Sequence, residues 1–382
     1  MFSFGRENTG LVAKWWRNID KSILFLFIFL LLLGLFFSFS STTSVISEKM
    51  NVQTYLFFIR HLIFVSASLI LIFIISIQEK NKLINILTYL FIFSVVLLFL
   101  TLIIGVEVKG SKRWIDLPFI PIKFQPVELI KPLFIIFIAK ILVLSEKMDI
   151  YRKYFYSLIV LLLVSIILIN QPDLGQTLLL TFTWLAMIFV SGFNMTILLL
   201  LGLIFIITVV LLIFFIPDKF GYIFFRIKTF LDPEKGDNFQ SQKALQAIKQ
   251  GGMTGQGMGE GILKHEVPDA HTDYMVAVIS EEFGAIFVLF IIILFLFIGY
   301  KVLNKVFLGK DDFLKLALVG LVSLLTIQTF IHIGVNSRLF PTTGMTLPFL
   351  SYGGSSLIGS SIIAGIILNF TRKDSTGYFT NE

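Results

Sequence analysis

Ten apolar runs, each long enough to cross a lipid bilayer, constrain this chain more than any other feature. They fall at 22–40, 55–77, 83–104, 126–145, 154–170, 174–191, 195–216, 274–300, 313–335 and 347–370. Crossing the hydrocarbon takes about 20 apolar residues as a helix. Inside lipid the backbone must satisfy its own hydrogen bonds, which leaves a helix as the reading of each run. Composition agrees, because 56% of the 382 residues are apolar and only 14% are charged. Mean hydropathy is +0.91, and a water-soluble core cannot hide that much apolar surface. The expected fold is an all-α integral membrane protein: one domain over 1–382, a bundle of about ten transmembrane helices.

Lys and Arg set the orientation, since cytoplasmic loops carry the excess. With the N-terminus inside, the short cytoplasmic segments and the span ends beside them hold sixteen basic residues. The short outer loops hold six: Lys49, Lys109, Lys112, Arg113, Lys123 and Arg338. Both termini (1–21 and 371–382) are therefore expected on the cytoplasmic side of the cytoplasmic membrane. The opening MFSFGRENTGLVAKWWRNID precedes its apolar run without a small-residue cleavage site, and reads as an uncleaved first helix. Segment 217–273 becomes one large extracytoplasmic loop between helices 7 and 8. It has seven basic and eight acidic residues, so it is not a polybasic arm. SQKALQAIKQ within it is helix-like and is followed by a Gly-rich stretch; loops of this length are usually functional or disordered. Four of the six outer cations crowd the single loop 105–125.

Several function classes drop out. The chain has no cysteine, so disulfides and thiol chemistry are excluded. The net charge of +7 comes without a nucleic-acid motif, and basic excess in a membrane protein marks a cytoplasmic face. Four scattered histidines show no metal-ligand spacing. GGMTGQGMGEG is not a nucleotide loop, because it lacks the Lys-Ser/Thr ending and the strand-to-helix setting. Close approach of its backbone to a ligand or to another loop is the alternative. The small residues of FPTTGMTLPFLSYGGSSLIGSS can serve helix approach in the same way.

Polar groups at membrane depth carry more information. Arg60 lies near the start of the second span. Glu128 and Lys131 lie three apart at the start of the fourth, where they can neutralise one another. Glu281 and Glu282 sit two turns into the eighth and can hold a basic side chain elsewhere in the bundle. His332 and Asn336, one turn apart in the ninth, suit interhelical hydrogen bonding. Asp273 stands at the water line, where VPDAHTDYMVAVISEEFG turns from polar to apolar. Thr272 followed by an acid reads as a helix cap with a carboxylate on the helix dipole. A carboxylate fixed there is also placed to act on the headgroup of a lipid, and the two roles are compatible.

Five segments in series resemble the SEDS family of membrane proteins: GSKRWIDLPFIPIKFQPVELIKP (110–132), NQPDLGQT (170–177), FLDPEKGDNFQSQKALQAIKQGGMTGQGMGEG (230–261), VPDAHTDYMVAVISEEFG (267–284) and PTTGMTLPFLSYGGSS (341–356). The resemblance covers nearly the whole chain. GMTLPFLSYGGSS, DAHTD and the opening WWRNID resemble the family's FtsW branch, alphaproteobacterial type, more than its RodA branch. The resemblance implies a peptidoglycan glycosyltransferase that polymerises lipid II, an undecaprenyl-pyrophosphate disaccharide-pentapeptide, at the outer face of the membrane during division. It implies Asp273, of the HTD motif, as the catalytic residue. Substrate contacts are implied for its neighbours His271 and Thr272, for Arg113 and Trp114, and for Gln125, Glu128 and Lys131, with Val127 standing where the family usually has Ser. Such chemistry needs a base for a sugar hydroxyl and cations for a departing pyrophosphate. Lys112, Arg113, Lys123 and Arg338 are the outer-face candidates, and Arg60 can line the same cavity. A divalent cation, magnesium or manganese, can share that work. The implied partner is a class B penicillin-binding protein, which supplies the transpeptidase. A lipid II flippase and a non-catalytic division scaffold are the alternative readings.

Overall fold

The computed structural model describes residues 10–42, 56–108, 110–116, 123–144, 150–215, 217–231, 239–263, 266–309 and 311–373. Lys49, Lys109, both chain ends and residues 232–238 and 264–265 of the long loop lie outside them. In chain order the helices begin α1 (Leu11–Asn18), α2 (Lys21–Thr42), α3 (Leu56–Ile77) and α4 (Lys80–Ile104). Three strands follow, β1 (Val106–Val108), β2 (Ser111–Asp116) and β3 (Lys123–Phe124). Then come α5 (Pro126–Leu144), α6 (Ile150–Asn170), α7 (Leu174–Val190), α8 (Met195–Phe215), α9 (Pro217–Leu231) and α10 (Phe239–Gly251). The chain finishes with α11 (Met275–Leu308), α12 (Asp312–Asn336) and α13 (Gly354–Phe370).

Every expected span is met by a helix, in a multi-pass bundle. By length and composition, six helices can cross a membrane among the described residues: α2, α3, α4, α6, α11 and α12. Leu174–Val190, Met195–Ile204 and Gly354–Phe370 are shorter apolar helices. The fourth run, α5, carries Glu128, Lys131 and Lys140. The figure of ten crossings thus remains a reading of the sequence.

Three departures from the expected pattern bear on the site. The cation-rich loop 105–125 holds a small antiparallel sheet in the order β1-β2-β3, with Val106 opposite Trp114 and Asp116 opposite Lys123. The tenth run becomes helical only at Gly354: Pro348 bars an N–H at its start, and the Thr342, Met345 and Thr346 carbonyls and the Tyr352 N–H bond neighbouring segments instead. The long loop contains a second helix, α9, besides the expected one at Phe239–Gly251.

In the core, α12 packs against α11, α7 and α5, and α13 against α3 and α5. α13 comes close through its small residues: a Cβ on Gly359 would press on the Glu128 carbonyl. The Gly-rich run is explained the same way, as backbone laid on backbone. Gly255, at φ 79, meets the Glu282 carbonyl, and Gly284, at φ 82 inside α11, meets the Met253 carbonyl. Non-glycine residues rarely adopt that conformation, and neither position has room for a side chain. The contact is stitched by Gln256 N–H to the Glu281 carbonyl (2.9 Å), Gly257 N–H to the Glu282 carbonyl (3.0 Å) and Ala285 N–H to the Gly252 carbonyl (2.9 Å).

Candidate active site

The turn before α11 sets the position of Asp273. Asp269 adopts a left-handed conformation, at φ 56. Its carbonyl accepts from the N–H groups of Thr272 (3.0 Å), Asp273 (3.1 Å) and Tyr274 (3.3 Å). The expected Thr272 cap does not form. The helix starts at Met275 with no cap from the Tyr274 side chain that precedes it, and the Thr272 hydroxyl donates to the Asp269 carbonyl at 3.2 Å. The half-buried Asp273 side chain faces a cavity of about 740 Å³. Gly344 lies directly across from it, with a built Cβ 3.5 Å from Asp273 Oδ2.

A second loop, 341–353, is laced to the turn through main-chain groups. Tyr352 N–H donates to the His271 carbonyl (2.9 Å), and Ser351 Oγ donates to the Thr272 carbonyl (2.7 Å). This lacing brings Thr342, Thr343, Gly344, Thr346 and Tyr352 onto the cavity wall.

Four cations line the cavity: Arg60, Arg113, Lys123 and Arg226. Arg113 is held by three acceptors at the α6–α7 turn. Its Nε donates to the Gln171 carbonyl at 3.1 Å, its Nη2 donates to the Pro172 carbonyl, and Nε lies 3.6 Å from Asp173 Oδ2. Burial pushes the Asp173 carboxyl above its ordinary value, with Arg113 and the Gln176 N–H working against it. Arg60 hydrogen-bonds the Tyr352 side chain. Arg226, on α9, donates to the Thr342 carbonyl at 3.2 Å. Four positive groups beside the Asp269 and Asp273 carboxylates suit a reaction that releases an anion while a proton is removed.

Of the residues singled out in the sequence, the cavity collects Arg60, Arg113, Trp114, Lys123, Gln125, Thr272 and Asp273. Lys112 is exposed on β2, opposite Glu107. His271 packs tilted against Phe57 and Tyr352, at centroid distances of 5.7 and 5.8 Å. Arg338 forms a left-handed turn after α12, at φ 60. None of the three is among the lining residues. Glu128 and Lys131 lie behind the wall as a buried ion pair at 2.7 Å. Lys131 Nζ also donates to Gln328 Oε1 (3.1 Å), whose Nε2 donates to the Thr346 carbonyl (2.9 Å). The pair thus reaches the cavity through a wall residue. Glu281 accepts from the Leu263 N–H at 2.7 Å, and Glu282 from the Ser40 hydroxyl. Both brace the long loop and α2. Arg226 escaped the sequence reading; its only signal is a cation in the aromatic stretch FGYIFFRIKTF.

These features define a multi-pass helical membrane protein with a cation-lined cavity that also holds two carboxylates, Asp269 and Asp273. The chain belongs to the FtsW, RodA and SpoVE family of cell cycle proteins, whose profile matches residues 20–376. It is 31% identical over 376 residues to the probable peptidoglycan glycosyltransferase FtsW of Caulobacter vibrioides, covering 98% of this chain and 95% of that one. The corresponding Haemophilus ducreyi protein is 35% identical over 372 residues, covering 93% and 90%. Among solved structures, a chain of a peptidoglycan synthase complex shares the fold, with a TM-score of 0.74 at 24% identity over 92% of this chain and 97% of that one. The rod shape determining protein RodA of Thermus thermophilus aligns with a TM-score of 0.68 at 25% identity, covering 96% and 99%.

Proposed function

We propose that this protein is an inverting peptidoglycan glycosyltransferase that polymerises lipid II for septal wall synthesis. The observation that carries the proposal is the Asp273 carboxylate in one cavity with Arg60, Arg113, Lys123 and Arg226. Family membership and the names of the relatives support it.

In this reading the 4-hydroxyl of an acceptor GlcNAc attacks the anomeric carbon of a donor MurNAc. Asp273 takes the hydroxyl proton as the new C–O bond forms, a transfer that typically contributes about 10²–10⁴-fold. The bond from the anomeric carbon to the phosphate oxygen breaks, and undecaprenyl pyrophosphate leaves with the electron pair. One displacement turns an α-linked donor into a β-linked product. The cations meet charge that develops on the leaving group, which is where fixed charges stabilise a transition state most. Asp273 sits at the water line because each substrate has one end in lipid and one in water.

The reading places the cavity at the outer face of the cytoplasmic membrane, with both termini in the cytoplasm, and pairs the chain with a class B penicillin-binding protein. Substrate contacts by Lys112, His271 and Arg338 belong to it as groups that approach a larger bound substrate from the rim. Among the described residues no three His, Cys, Asp or Glu side chains come together as a metal cage. A magnesium or manganese ion bound with the pyrophosphate would share the neutralisation of the leaving group with the cations of the cavity.

The test is incubation of the purified chain, with and without its class B partner, with labelled lipid II. Glycan strands on a gel support the proposal. Movement of lipid II between liposome leaflets with no polymer would replace it with the flippase.

A further inference from the structure

The helix α12 carries Gln328, His332 and Asn336 at i, i+4 and i+8, so one face presents three polar side chains in a row. All three are buried, Asn336 completely. Each is spent on the main chain of a site segment. Gln328 Nε2 donates to the Thr346 carbonyl at 2.9 Å, His332 Nδ1 lies 2.7 Å from the Met345 carbonyl, and Asn336 Nδ2 donates to the Asp273 carbonyl at 3.1 Å. Asn336 makes two more bonds: Nδ2 donates to the His332 carbonyl at 2.8 Å, and Oδ1 accepts from the Ala277 N–H at 3.1 Å. Both donors and the acceptor of its amide are thus in use.

The bonds to Asp273 and Ala277 grip the first turn of α11 at two points four residues apart, one an acceptor and one a donor. Two such anchors fix both the height of that turn and its rotation. Tyr274, the residue that precedes the helix, offers it no side-chain cap, so the Asn336 amide does that work from a neighbouring helix. A general base must stand within about 2.6–3.2 Å of the proton it removes, and a misplacement of about 1 Å can cost about 10²-fold in rate.

We infer that Asn336 is a positioning residue for Asp273, setting through the main chain where the carboxylate meets the acceptor hydroxyl. The inference rests on the reading of Asp273 as the base. Loss of the clamp lets the first turn shift without removing any group that lines the cavity, so substrate binding survives while the chemical step slows.

The test uses the full-length chain in detergent or liposomes, with labelled lipid II and a thermal unfolding curve for each variant. Asn336→Ala should lower kcat by about 10²-fold with KM within about threefold of wild type. Asn336→Asp keeps the shape and the acceptor for Ala277 but offers no N–H to the Asp273 carbonyl, and should lose as much as alanine. Asn336→Gln keeps both amide functions one methylene further out and should recover part of the loss, to about tenfold below wild type. If alanine and aspartate fail to fold, the glutamine variant carries the test by the same split. Wild-type kcat in a folded alanine or aspartate variant, or a loss confined to KM, would overturn the inference. So would failure of all three to fold, which makes Asn336 a folding residue. Asp273→Asn runs alongside: activity there removes the base reading itself. An inactive Asp273→Asn beside a fully active Asn336→Ala removes the positioning role alone.

Discussion

Among single residues, the cavity separates cations that face the reaction from cations that were merely near it in sequence. Lys112 and Arg113 are neighbours, yet the strand alternation of β2 leaves Lys112 exposed while Arg113 turns in to the Gln171, Pro172 and Asp173 acceptors. That alternation was not readable while 105–125 passed for an irregular loop. Arg226 was hidden for a different reason, since a cation inside a long loop says nothing about where the loop folds back. Its bond to the Thr342 carbonyl brings it onto the wall. Arg226→Ala should therefore raise KM or lower kcat for lipid II by about tenfold, the worth of one charge-assisted hydrogen bond of about 1.5 kcal/mol. Lys112→Ala removes an exposed cation whose contact with the substrate is screened by solvent, and should cost less, about two- to threefold. Steady-state polymerisation kinetics on both variants check the contrast. Asp273 stood out in the sequence as an acid at a polar-to-apolar boundary, where a helix cap fits as well; its catalytic role is implied by the resemblance of the HTD motif.

At the level of elements, the apolar runs were long enough to reveal the helices, but periodicity carries no record of how a helix is interrupted. Gly284 breaks the φ/ψ of α11 without ending it, and the reason lies in the Gly-rich run against it. The sequence offered close backbone approach as one reading of GGMTGQGMGEG; the partner, Ser280–Gly284, lies beyond sequence reach because it is a tertiary contact. Gly284→Ala would combine a φ of 82 with a Cβ driven into the Met253 carbonyl. We expect it to cost about 1–3 kcal/mol from the backbone conformation, with an overpacking cost of the same order added. A lower unfolding temperature checks this, and loss of activity should accompany it, because the same contact seats the turn holding Asp273. The helix α13 starts seven residues later than the apolar run, because Leu347–Leu350 look helical until the bonds of the following Ser351 hydroxyl and Tyr352 N–H to the Thr272 and His271 carbonyls are known.

For the whole molecule, the buried Glu128–Lys131 pair joins the bundle core to the site. The sequence showed two opposite charges one turn apart, which neutralise one another as that spacing suggests. It did not show that Lys131 also reaches Gln328 on α12, and through it Thr346 on the cavity wall. Lys131→Met leaves Glu128 buried without its cation, a change that typically costs about 3–5 kcal/mol. Glu128→Gln together with Lys131→Met should cost less than Lys131→Met alone, because no uncompensated charge remains. Thermal unfolding of the single and double variants in one detergent checks the order.

In the proposed reaction Asp273 removes the acceptor proton inside the cation-lined cavity. The most direct measurement is the single-turnover rate of glycan bond formation by Asp273→Asn and wild type, each saturated with labelled lipid II. Loss of the base predicts a fall of about 10²–10⁴-fold, with lipid II binding retained. Glycan formation by Asp273→Asn at the wild-type rate would contradict the account and leave the carboxylate a structural group at the head of α11.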